Sequence, residues 1–96
     1  MKVYIAGKIT GNEDYRAQFK CREMILKLEG HTVLNPADLP AGLEHHEYMH
    51  ICRSMIDVSE AVSFLDNWKD SPGAQMEHEY AIEQGKQLWF KNKICS

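Results

Sequence analysis

The sequence predicts a small α/β fold: a doubly wound parallel sheet of strand order 2-1-3-4 with helices on both faces. Three observations lead there. Short β-branched and aromatic runs alternate with helix-length amphipathic stretches, glycine or proline marks most junctions, and 96 residues are enough for one domain, 1–96, and not for two. Right-handed crossovers leave few other ways to cover short apolar strands that alternate with helices.

Lys2 to Ala6 is short, β-branched and aromatic and runs into Gly7-Lys8-Ile9-Thr10-Gly11, the pattern of a buried strand that ends in a glycine-bounded loop. From Asp14 to Glu29 the apolar residues Tyr15, Phe19, Met24, Ile25 and Leu28 recur mostly at helical spacing, and Gly30 is the stop. His31 to Leu34 is the second strand, halted by Asn35-Pro36. Two of the three prolines then fall between Pro36 and Gly42, a loop. Glu44 to Val58 is the second helix, Ala61 to Leu65 the third strand and Asp66 to Ser71 a loop. Pro72 to Gln84 forms the third helix, closed by Gly85, and Gln87 to Phe90 the last strand.

Eleven Lys and Arg against 14 Asp and Glu give a net charge of -3, so no general electrostatic hold on polymeric nucleic acid or an anionic membrane is expected. Val3 to Ala6 is too short for a signal core or a membrane span, which predicts a cytoplasmic protein. Cys21, Cys52 and Cys95 are odd in number and lack C-x-x-C spacing, so they read as reduced thiols. A core this small favours self-association into a homo-oligomer.

In a doubly wound sheet the ligand crevice opens at the carboxyl ends of the strands where the order reverses, here between strands one and three. Two loops border it, Gly7 to Gly11 and Asp66 to Gly73. The first is neither a Walker loop nor a dinucleotide fingerprint, and it reads equally as a tight turn or as backbone that approaches a phosphate or sugar. Lys8 within it is a solvated charge or a phosphate partner. In the second, Ser71 suits a helix N-cap and Pro72 the first helical position, so the first-turn amides form an anion site. Glu77 follows about 9 Å along the axis. A cap hydroxyl and a carboxylate so placed can hold opposite ends of a sugar phosphate, or simply cap a helix and face water. His46 and His50 share a helix face, but two ligands do not make a metal site even with His45, Cys52 or His78 nearby, and no metal or cofactor is expected. Trp68 and Trp89 read as core or rim aromatics, with Trp68 also placed to cover a base.

Met1 to Gly11, Gly30-His31-Thr32-Val33-Leu34-Asn35-Pro36, Trp68, and Ser71-x-Gly73-Ala74-x-x-Glu77 followed by Ala81 together resemble the nucleoside 2-deoxyribosyltransferase-like superfamily. Within it the chain is most similar to the short DUF4406 family of bacterial and phage proteins. The likeness spans nearly the whole chain and implies a flavodoxin/Rossmann-like sandwich, the architecture already reached from pattern. It implies that Glu77 is a nucleophile that attacks the sugar C1′ and displaces the base. A retaining displacement of that kind needs an ionised carboxylate beside the anomeric carbon. The serine at position 71, six residues before Glu77, leans toward 5′-monophosphates, since nucleoside transferases of the superfamily tend to have aspartate there. Gly7, Ile9 and Gly73 match positions that line sugar and base, and Lys8 and Gly11 belong to the same loop.

Departures from the pattern are equally specific. The second-helix aspartate that handles the leaving base falls at about Cys52, so His50 or Glu47 is the candidate proton donor. Glu60 stands where an aspartate commonly opens the third strand, and it is carried over as a substrate contact. The chain ends six residues after Phe90, where catalytic relatives continue into a segment that completes a neighbour's pocket. Two functions are therefore expected to compete: glycosidic-bond cleavage or transfer on a small nucleoside or nucleotide, and a non-catalytic nucleotide sensor or oligomeric interaction module on the same fold.

Overall fold

The computed structural model describes residues 1–90; Cys95, expected as a thiol, lies outside them. Strands β1 (Lys2–Ala6), β2 (Thr32–Leu34), β3 (Ala61–Phe64) and β4 (Gln87–Trp89) alternate with helices α1 (Tyr15–Leu28), α2 (His45–Asp57) and α3 (Pro72–Glu83). All neighbouring strands pair in parallel, in the order β2-β1-β3-β4. The central pair runs in register from Val3 opposite Ala61 to Ala6 opposite Phe64. Sequence and structure agree on every element to within one or two residues, except that short 3-10 turns, Pro36–Asp38 and Asp66–Asp70, occupy the expected loops.

The two-residue period of β1 divides the core. Val3 and Ile5 pack with Phe19 and Leu26 of α1 on one face, while Tyr4 and Ala6 pack with Cys52 and Ile56 of α2 and Ala81 of α3 on the other. That sidedness fixes which helices can meet the carboxyl end of the sheet next to Tyr4.

The buried face of α1 differs from the expected one. Met24 and Leu28 are exposed, and Arg22 and Glu23 are buried instead, in step with Phe19 and Leu26. Hydrogen bonding decides this, because buried polar groups must be paired. Arg22 Nη1 donates to Ser63 Oγ of β3 and, at 3.4 Å, to the Phe64 carbonyl. Glu23 accepts from Asn35 Nδ2 at 2.9 Å and from Lys27 at 2.6 Å, and these bonds hold its carboxyl down at about 2. Asn35 in turn caps the 3-10 turn through the Ala37 amide.

Gly7 is needed because a Cβ there would lie 2.7 Å from Leu65 Cδ1, so the ends of β1 and β3 approach at glycine distance. One further reading is corrected. Cys52 is a free buried thiol, whereas Cys21 is disulfide-bonded. An odd cysteine count leaves one thiol over and does not exclude a bridge between residues distant in sequence. Among the described residues no helix is long and apolar enough to cross a membrane.

Candidate functional site

A cavity of about 630 Å³ opens at the carboxyl ends of β1 and β3, the point where the strand order reverses. Three segments enclose it: the loop after β1 with Gly7, Ile9 and Thr10, the stretch from Pro36 into α2 with His45, Tyr48 and Met49, and the start of α3 from Asp70 to Glu77.

Glu77 is the buried acid of this cavity, 6% exposed. Its position follows from the local sequence. Ser71 caps α3 by accepting from the Ala74 amide at 3.2 Å, and Pro72 opens the helix, so Ala74, Glu77 and Ala81 repeat along its buried side. Tyr4, pointing to that side from the middle of β1, donates its hydroxyl to Glu77 Oε2 at 2.6 Å. Burial pushes the Glu77 carboxyl up to about 7, while hydrogen bonds from Tyr4 and Cys52 hold it down. The group therefore passes between a neutral acid and a carboxylate near neutral pH.

Tyr48 of α2 lines the cavity, and Cys52, one turn further on, is fully buried behind it beside Glu77. Burial raises the Cys52 thiol to about 11, so it is neutral. Burial likewise raises the Tyr48 phenol, which interacts with the neighbouring Cys52 thiol. At the other end, Pro72 has no N–H, the Ala74 amide serves Ser71 Oγ, and the Gln75 amide serves the Ser71 carbonyl. Gly73, whose amide is the remaining first-turn donor, lines the cavity.

The fold gathers Gly7, Ile9, Ser71, Gly73 and Glu77 around one space, and it places the other expected residues elsewhere. His50 is exposed and does not line the cavity, since α2 turns Tyr48, Met49 and Cys52 inward and position 50 outward. Glu47 is exposed too, accepting from the Glu44 amide in a capping box. Glu60 immediately precedes β3 at the amino end of the sheet, where it accepts from the Lys2 amide at 3.1 Å, a strand's length from the cavity. Trp68 lies outside the lining, stacked on His78 at 4.5 Å and packed on Phe64 and Phe90. Lys8 and Gly11 lie outside it as well. The Lys8 amide donates to Asn67 Oδ1, and Gly11 takes φ +75° in the exposed turn.

That loop is held by a network the sequence reading did not identify: Gln18 Oε1 accepts from Asn12 at 2.8 Å and from Asn67 at 3.3 Å, tying the loop after β1 to the turn after β3. Tyr4 was also missed, although a tyrosine inside a buried strand signals a hidden hydrogen-bond partner. Among the described residues no group of three or more His, Cys, Asp or Glu side chains is placed to hold a metal.

The sequence profile of the family described as Domain of unknown function (DUF4406) matches residues 1–90. No curated protein sequence matches the chain. Among solved structures, a 2-desoxiribosyltransferase from Leishmania mexicana superposes with a TM-score of 0.73 at 22% identity, over 91% of this chain and 61% of that one. A 2-deoxyribosyltransferase from the psychrotolerant bacterium Bacillus psychrosaccharolyticus gives 0.67 at 20% identity, over 92% and 69%. The chain thus shares its α/β fold with these proteins and spans about three fifths of the Leishmania protein's length.

Proposed function

The chain belongs to the DUF4406 family, and we propose that it cleaves the N-glycosidic bond of a small nucleoside or 5′-nucleotide, or transfers its (deoxy)ribosyl group, with Glu77 as nucleophile. One observation carries this reading: a single buried carboxylate, gripped by Tyr4, in a cavity at the switch point of a fold shared with deoxyribosyltransferases.

In the reaction, a Glu77 oxygen forms a bond to C1′ as the bond from C1′ to the base nitrogen breaks. The electron pair leaves with the base nitrogen, which takes up a proton from solvent water, and a glycosyl ester remains on Glu77. Water yields the free sugar and regenerates the carboxylate, or a second base yields a new nucleoside. The Tyr4 hydroxyl orients the carboxylate, and the Ser71 hydroxyl with the Gly73 amide provides polar contacts for the far end of the sugar. A homo-oligomer in the cytoplasm, where small nucleosides and nucleotides are held, is part of the proposal.

A specific observation favours a second reading, a nucleotide-binding module without turnover. The α2 position that carries the base-handling aspartate in the resembled superfamily is here the neutral thiol of Cys52. Incubation with ribo- and deoxyribonucleosides and their monophosphates, followed by chromatography of free base against a Glu77→Ala control, separates the two. Release that vanishes in the control supports the enzyme. Absence of release, with binding retained, establishes the module.

A further inference from the structure

We infer that the cavity takes an uncharged nucleoside and turns away its 5′-monophosphate, and that Asp70 is the residue that decides. The inference rests on the reading that the sugar sits against Glu77, and it settles which of that reading's two substrate classes the site accepts.

Among the described residues the lining carries two carboxylates, Asp70 and Glu77, and no lysine or arginine, and His45 is the one lining side chain able to carry a positive charge. A phosphate dianion brought out of water needs compensating charge or several converging donors. The donors at the α3 end are few: the Gly73 amide, the Ser71 hydroxyl and about half a unit of helix charge. Asp70 stands one residue before the Ser71 cap, so a full negative charge already opposes that half charge. Its side chain is exposed at the cavity mouth and neither pairs with a cation nor accepts a hydrogen bond among the described residues. Lys8, the basic residue of the neighbouring loop, is not among the lining.

With C1′ against Glu77, the sugar's hydroxymethyl carbon is its most distant part, and the α3 N-terminus, about two turns before Glu77 on the same helix, lines the same cavity. A phosphate attached there meets Asp70, whereas a free hydroxyl meets an acceptor.

Titration calorimetry with 2′-deoxyribonucleosides and their 5′-monophosphates tests this on the full chain, wild type against Asp70→Asn, a surface substitution that keeps the side chain's shape. The wild type is expected to bind nucleosides more tightly, and Asp70→Asn to improve monophosphate affinity about five- to tenfold with little change for nucleosides. The wild-type preference is also expected to shrink as salt rises. A wild type that prefers monophosphates, or an Asp70→Asn variant with an unaltered ratio, overturns the inference while base release, if present, leaves the proposed reaction standing. The expected selectivity without base release sinks the reaction and leaves the inference. Absence of binding by both ligand classes overturns both.

Discussion

The Tyr4 hydroxyl donates a 2.6 Å hydrogen bond to Glu77 Oε2, joining residues 73 positions apart across the interface between the central strand and α3. Both groups are buried, and the bond is the direct link between the sheet and the acid at the cavity floor.

Replacing Glu77 by Gln is expected to lower base release about a thousandfold or more, because it removes the proposed nucleophile and keeps the side chain's size. An unchanged circular-dichroism spectrum alongside the lost activity is the expected pairing. Release at the wild-type rate sinks the assignment.

Tyr4→Phe removes a bond that holds the Glu77 carboxyl down, so the carboxyl titrates higher. The acid limb of the rate profile is expected to move up by about one unit, which costs about tenfold at pH 6 and little above pH 9. A profile lowered evenly at all pH values assigns Tyr4 to geometry alone.

Glu77 also predicts how stability depends on pH. A carboxyl at about 7 in the folded protein, against its usual 4.5, binds more protons folded than unfolded within that window. Stability therefore falls by about 3 kcal/mol from pH 4.5 to 7 and is level above. Glu23, held at about 2, acts the other way: its contribution is present above 4.5 and is lost as pH falls toward 2. Denaturant melts are expected to peak near pH 4.5, and in Glu77→Gln the decline toward pH 7 disappears.

Asn35→Ala removes both the partner of Glu23 and the cap on Ala37. A loss of about 1–3 kcal/mol is expected from urea midpoints. A loss below about 0.5 kcal/mol contradicts the role given to this network.

Gly7→Ala places a methyl 2.7 Å from Leu65 Cδ1 and 2.9 Å from Leu65 Cβ. Overpacking of about 1–3 kcal/mol is expected. Pairing it with Leu65→Ala, which removes Cδ1 and Cγ but keeps Cβ, should cost less than the sum of the two single changes, and strict additivity rules out the Cδ1 contact as the cause.

Much of this protein is written locally in its chain. Strands appear as short apolar runs, helix ends carry Ser71-Pro72, Gly30 and Gly85, and alternation dictates the parallel order, because each of these signals acts over a few residues. The switch-point rule then places Gly7, Ser71, Gly73 and Glu77 around one crevice without any knowledge of side-chain contacts. What only the tertiary structure decides is which polar groups are taken out of water together. Helical spacing gave Met24 and Leu28 to the buried face, and hydrogen bonds to Ser63 and Asn35 gave it to Arg22 and Glu23. His50 and Trp68 stand near the site in sequence, yet the rotation of α2 and the packing of His78 and Phe90 keep them from it. The pairing of Tyr4 with Glu77, and the charge that Asp70 brings to the mouth, arise where distant segments meet; a carboxyl's protonation depends on everything within a few ångströms, a neighbourhood that only the folded chain creates.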